Sequence, residues 1–246
     1  MRLLVVNPNT TQSMTEKIGA AARAVASAGT EIIAVNPDSG PASIEGYYDE
    51  AFAVPGLIAE MRKAGAVDAT IIACFDDTGL DAARSFSPAP VIGIGEAAFH
   101  LASLIAGKFT AVTTLSRSIP AIEHNLVRYG LSSRCARVRA ADVAVLELEV
   151  PGSPARARIS REIDRAMHED NADAIVLGCA GMTDLADALS REHGLPVVDG
   201  VAAAVKLAES LVALGLRTSK RQGYASPIPK GYAGAMSPYT PTDQGK

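Results

Sequence analysis

One short pattern occurs twice in this chain, and it constrains the fold more than any other feature. Residues 68–80 read Asp-Ala-Thr-Ile-Ile-Ala-Cys-Phe-Asp-Asp-Thr-Gly-Leu, and residues 173–185 read Asp-Ala-Ile-Val-Leu-Gly-Cys-Ala-Gly-Met-Thr-Asp-Leu. Laid over each other they share Asp68/Asp173, Ala69/Ala174, Cys74/Cys179, Thr78/Thr183 and Leu80/Leu185. A run of small and β-branched residues ending in cysteine is the signature of a buried parallel strand that delivers a side chain at its carboxyl end. One such strand in each half points to a site made where two halves face each other.

The surrounding segments recur in the same order. Leu3–Val6 runs into the tight Asn7-Pro8-Asn9-Thr10 loop, and Phe109–Val112 runs into Thr113-Thr114. Pro90-Val91-Ile92-Gly93-Ile94 matches Pro196-Val197-Val198-Asp199-Gly200, 16 residues after Cys74 and 17 after Cys179. Further strands are expected at Glu31–Val35 and Ala136–Arg139. Helices are expected at about 12–28, 49–63, 96–104, 119–129, 155–168 and 201–214. Thr10 or Thr11 is a plausible N-cap for the first helix, and Pro55 makes the continuity of the second uncertain. Strands alternating with helices predict an α/β fold of two pseudo-symmetric lobes, each a parallel sheet flanked by helices. Residues 1–98 with 200–246 would form lobe 1 and 99–199 lobe 2. Ligands in such sheets bind beyond the carboxyl ends of the strands, where both cysteines, Asn7–Thr10 and Thr113-Thr114 all fall. After Leu216 the composition turns polar, Pro- and Gly-rich; residues 217–246 read as an extended arm, flexible or laid across a partner subunit.

Charge and cysteine usage narrow the classes of function. A net charge of −4 with no basic cluster in the body argues against nucleic acid. No apolar run approaches the ~18–20 residues of a membrane span, and the first residues turn polar too soon for a signal peptide. Three widely separated cysteines make no disulfide framework, so thiols in a reducing cytoplasm are expected.

A lone buried cysteine is ordinarily a small hydrophobe. Here each stands at a strand end before an expected helix N-terminus, where main-chain N–H groups and the helix dipole favour a thiolate. Such a group suits general-base work near neutral pH. Two of them entering one cleft from opposite sides could take a proton from a carbon on one face and return one on the other, inverting the centre without a cofactor. The same N–H groups could bind the enolate oxygen.

Asn7-Pro8-Asn9-Thr10, Ser43-Ile44-Glu45-Gly46, Ala73-Cys74-Phe75-Asp76-Asp77-Thr78-Gly79 and Gly178-Cys179-Ala180-Gly181-Met182 together resemble the hydantoin racemase group of the aspartate/glutamate racemase superfamily. The resemblance spans residues 1 to about 240. It implies an aspartate/glutamate racemase-like fold, with Cys74 and Cys179 as the acid–base pair and no metal, pyridoxal phosphate or nucleotide. It also implies a substrate pocket lined by Asn9, Ile44, Phe75, Thr113, Thr114, Ala180 and Gly181, and a homo-oligomer (tetramer or hexamer). The substrates implied are 5-monosubstituted hydantoins, or allantoin, which near relatives use. The chemistry fits the residues independently: the C5 hydrogen of a hydantoin lies beside a carbonyl, and no Arg or Lys falls in the four runs, which favours a neutral ring over a dicarboxylate. Arg84 and Arg117 lie near enough in sequence to oppose that reading. A two-lobed binding protein without turnover is the rival from another class, although binding a neutral ring does not need two thiols.

Other reactive side chains have bland expectations. Cys135 has no counterpart in the repeat and reads as structural or exposed. His100, His124, His168 and His193 lack metal-ligand spacing and read as packing or surface residues. Gly93-Ile94-Gly95 is too short for a dinucleotide fingerprint.

Overall fold

The computed structural model describes residues 1–241. Among the described residues eight strands alternate with eight α-helices, and the sequence repeat becomes a repeat of sheets. The first sheet contains β1 (Arg2–Val6), β2 (Glu31–Val35), β3 (Ala69–Ile72) and β4 (Val91–Gly93) in the order β2-β1-β3-β4. The second contains β5 (Phe109–Thr113), β6 (Cys135–Ala140), β7 (Ala174–Gly178) and β8 (Val197–Val198) in the order β6-β5-β7-β8. Every pairing is parallel. The helices are α1 (Gln12–Val25), α2 (Tyr47–Ala64), α3 (Leu80–Phe86), α4 (Ile94–Ile105), α5 (Ile119–Arg128), α6 (Ala155–Glu169), α7 (Ala186–His193) and α8 (Gly200–Ala213).

The central strands of both sheets are apolar along their length because helices cover both faces. Leu3 to Val6 and Ala174 to Val176 have no exposed surface. Register then decides what meets at the top. Val6 pairs with Ile72 and Thr113 with Gly178, so Asn7 and Cys74 leave one pair of neighbouring strands, and Thr114 and Cys179 leave the equivalent pair. A single large core joins the two lobes. Along its middle Phe75 meets Phe99 edge-on at 5.2 Å, and Phe99 stacks on Phe109 at 5.6 Å.

Some local expectations change. α3 and α7, seven and eight residues long, are expected from the sequence only as helix N-termini after the cysteines, without bounds, because they are too short for a helical period to register. α2 runs unbroken through Pro55; packing on the first sheet offsets the lost N–H bond. Thr11 occupies the N-cap of α1 by backbone, but its hydroxyl donates to the Ala42 carbonyl (2.7 Å), and Asn9 Oδ1 accepts the Thr11 N–H instead (2.9 Å). α4 starts two residues early because the Asp77 carboxylate accepts from the N–H groups of Gly95 (2.9 Å) and Glu96 (2.8 Å).

The described part of the arm lies back on its own first lobe; its last residues, 242–246, fall outside the described residues. Thr218 donates to the carbonyls of Pro88 and Ala89, and the Lys220 ammonium to those of Arg84 and Ser85. The Arg62 guanidinium reaches the carbonyls of Pro238 and Tyr239. Beside these polar contacts, Pro227, Tyr232, Met236 and Tyr239 line an apolar hollow with Val54, Ile58 and Phe86.

Candidate active site

Where the carboxyl ends of the two sheets face each other there is a cleft enclosing about 410 Å³, its open mouth included. Cys74 enters it from the β3 side and Cys179 from the β7 side. Asn9, Ile44, Phe75, Thr113, Thr114 and Ala180 line it as well. Gly181 is the one expected residue that does not; it stands behind Cys179 and donates its N–H to that sulfur at 3.4 Å. The lining also takes in Asn7, Met14, Asp76, Ser118 and Val145, which the sequence reading did not single out as site residues. Asn7 and Asp76 sat inside the quoted motifs and could have been included. Ser118 and Val145 carried no signal, since only folding brings them to the strand ends.

Each lining group has a local reason for its place. Asn7 bridges Asn9 Oδ1 (2.8 Å) and Thr15 Oγ1 (3.0 Å), which fixes the loop after β1. The Asn9 amide nitrogen meets the Met14 thioether at 3.4 Å, a weak acceptor, so its donors remain usable. Thr113 spends its hydroxyl on the Gly178 carbonyl across the two central strands (3.0 Å). Gly178 is glycine of necessity: a Cβ there would lie 2.9 Å from Thr113 Cα. The Phe75 ring points into the aromatic core and anchors the main chain beside Cys74.

The turn after Cys74 is held by a second device. Asp77 sits at φ +51, buried, and besides capping α4 its carboxylate accepts from the Tyr129 hydroxyl at 2.7 Å. Asn125, one turn earlier on α5, donates to the Asp76 carbonyl at 2.9 Å. Two residues from the second lobe therefore grip the turn that carries Cys74. Gly93 is explained by the same carboxylate, since a Cβ there would lie 2.0 Å from Asp77 Oδ1; one on Gly95 would meet the Phe75 carbonyl oxygen first, at 2.3 Å, and then Asp77 Oδ2 at 2.9 Å.

The thiols do not behave as the sequence suggested. Both are pushed above the ordinary thiol range, Cys179 to about 12 and Cys74 further still. Burial is the chief cause at each, and the Asp76 carboxyl adds like-charge opposition at both. The helix-terminus effect is real but small. Cys179 caps the 3₁₀ turn Ala180–Leu185, and its sulfur gains one N–H bond from Gly181. Cys74 is separated from α3 by a turn, and the Thr78 hydroxyl lies 3.3 Å from its sulfur. The α4 N-terminus is already occupied by Asp77. Desolvation outweighs these contacts.

Among the described residues no arginine or lysine lines the cleft. Arg84 pairs with Glu96 at 2.5 Å, and Arg117 packs against Gly46. Lys17, beside Cys179, pairs with Glu149 at 2.9 Å. Among the described residues no group of three His, Cys, Asp or Glu side chains could hold a metal ion.

A family model described as Asp/Glu/Hydantoin racemase matches residues 3–208. The chain belongs to that family. It is a racemase, and so an isomerase. The hydantoin racemase of Rhizobium meliloti is 49% identical over 236 residues, covering 95% of this chain and 98% of that one. The allantoin racemase of Klebsiella pneumoniae is 48% identical with a TM-score of 0.95, covering 98% of this chain and all of that one. The glutamate racemase of Francisella tularensis, 17% identical, matches with a TM-score of 0.65 over 89% of this chain and 84% of that one; the two share the fold.

Outside the cleft the remaining reactive groups have structural surroundings. Cys135 begins β6 and donates to the Arg137 carbonyl at 3.2 Å. His193 is not solitary: Nε2 lies 2.9 Å from Ser160 Oγ and Nδ1 3.0 Å from Asp164 Oδ1. Ser160 sits inside α6, whose N–H groups are spent on the helix, so no oxyanion donors accompany it. The array ties α6 to α7.

Proposed function

We propose that the chain is a cofactor-independent racemase that inverts C5 of 5-monosubstituted hydantoins, with Cys74 and Cys179 working from opposite faces of the ring. The observation that carries this reading is that both cysteines line one cleft whose walls, among the described residues, hold no basic side chain. Such a cleft suits a neutral ring. In each turnover one cysteine is a thiolate and the other a thiol. The thiolate takes the C5 proton, and the C–H electron pair moves into the C4 carbonyl as an enolate. The opposite thiol then gives its proton to C5 as the pair returns, leaving the protonation states exchanged. A thiol held that far up is a weak acid, and its thiolate is correspondingly a strong base for a carbon acid. Asn9 and Thr114 supply polar contacts to the ring and Thr113 the remaining acceptor capacity of its hydroxyl; Ile44 gives an apolar wall, Phe75 the main chain beside Cys74, and Ala180 and Gly181 the main chain beside Cys179.

Allantoin, a hydantoin with a ureido group at C5, is the second reading; the likeness to the Klebsiella enzyme favours it. On either reading residues 1–98 with 200–246 form one lobe and 99–199 the other, and the protein works as a homo-oligomer in a reducing cytoplasm. The test is chiral chromatography of benzyl-hydantoin, isobutyl-hydantoin and allantoin with the purified protein, in ordinary and deuterated water. Racemisation with solvent deuterium entering C5 is the expected result. Inversion without exchange would remove the enolate mechanism, and turnover confined to allantoin would select the second substrate.

A further inference from the structure

Among the described residues Asp76 is the one acidic side chain in the cleft wall. Its main chain is committed: the carbonyl accepts from Asn125, and the N–H points to the Cys74 sulfur. Its carboxyl, by contrast, stands half-buried at the cleft and accepts no hydrogen bond among the described residues. A carboxylate ordinarily accepts several N–H or O–H bonds, so this one has acceptor sites free for a ligand in the cleft. Among the described residues no lysine or arginine in the wall can supply those bonds. The charged groups around it are Glu50 on α2 and Asp77 of the same turn. The Lys17–Glu149 pair stands beside Cys179.

We infer that Asp76 is a substrate-contacting residue that accepts the N1–H of a hydantoin ring, and that it thereby sets both the orientation of the ring and the moment at which a thiolate forms. The inference rests on the hydantoin reading above. N1 adjoins C5, and Asp76 stands two residues beyond Cys74, so the group next to the reacting carbon meets the carboxyl next to the reacting thiol. The neutral cleft then selects rings with a donor beside the stereocentre. The second consequence is electrostatic. Burial first, then Glu50 and Asp77, hold the Asp76 carboxyl up at about 7. Once ionised, it opposes a thiolate at both cysteines. An N–H donated by the bound ring spreads that charge and relieves the opposition. The empty cleft thus keeps its thiols protonated.

Two measurements test this, and the first needs no turnover. In Asp76→Asn, the pH midpoints for alkylation of Cys74 and Cys179 by iodoacetamide should each fall by about half a unit or more. In Asp76→Ala, KM for a 5-substituted hydantoin should rise about tenfold, the loss of one hydrogen bond to a charged group. KM for its N1-methyl derivative should not change, while the N3-methyl derivative should suffer as the parent does. Unmoved alkylation midpoints, or equal KM changes for N1–H and N1-methyl rings, would overturn the inference. Calorimetric binding of the same rings separates it from the broader reading. A wild type that binds N1–H rings in an Asp76-dependent way but racemises none would refute racemisation and keep the contact. Asp76→Asn has the size of the native side chain, so circular dichroism should match the wild type.

Discussion

Gly93→Ala isolates the anchoring of the Cys74 turn. At φ −85 and ψ 143 the backbone accepts alanine without strain, so in open space this change would gain ~0.4–1 kcal/mol by restricting the unfolded chain. The surroundings reverse the sign. The new Cβ would stand 2.0 Å from Asp77 Oδ1 and 2.3 Å from Cγ, so the carboxylate must withdraw. It then abandons the α4 cap, worth ~0.5–2 kcal/mol, and leaves the Tyr129 hydroxyl without its acceptor, ~1–3 kcal/mol. The sum is roughly 2–5 kcal/mol, or about 4–20 °C in Tm for a chain of this size. Urea unfolding should show the midpoint falling at constant slope. Gly223→Ala, with no atom within 4 Å of the added Cβ, serves as the neutral control. The double-mutant cycle with Asp77→Gly, which suits the positive φ there, should shrink the Gly93→Ala cost below ~1 kcal/mol. A cost under ~1 kcal/mol in the native background, or one unchanged with Asp77→Gly, would refute the reasoning.

Other outcomes follow from the same geometry. Cys74→Ser and Cys179→Ser should each lower racemisation by about a thousandfold or more, on the order of a lost general base, while Cys135→Ser should leave it unchanged; kcat of the purified variants decides. Because burial raises both thiols, the racemisation rate should climb with pH from 6 past 9 instead of levelling near neutrality, and a plateau at pH 7 would contradict the direction found here. Asp76 binds its proton more tightly folded, at about 7, than unfolded, so it contributes stability below the unfolded value near 4 that is lost as pH rises towards 7. Asp76→Asn should therefore flatten the fall in urea stability across that window, and parallel curves for wild type and variant would count against it. Activity should survive EDTA; loss reversed by a divalent ion would contradict metal-independent proton transfer.

The duplicated strand–cysteine pattern determined the fold class by itself. Buried parallel strands need apolar runs on both faces, and a repeat of such runs with conserved spacing leaves few alternatives to two matching sheets. The positions of Cys74, Cys179, Asn9 and Thr113 at strand ends were legible for the same reason, since a strand's end is written in its composition. What the strand ends meet was not legible. Ser118 and Val145 reach the cleft only through the crossing of the second lobe, and Asn125 and Tyr129 grip the Asp76-Asp77 turn from 49 and 52 residues away along the chain. The thiols give the sharpest contrast. Local sequence places them near N-terminal N–H groups and suggests easy ionisation, but their acidity depends on how completely the two lobes exclude water and on a carboxyl facing both. Desolvation is a property of the assembled cleft, and only the tertiary structure decides it.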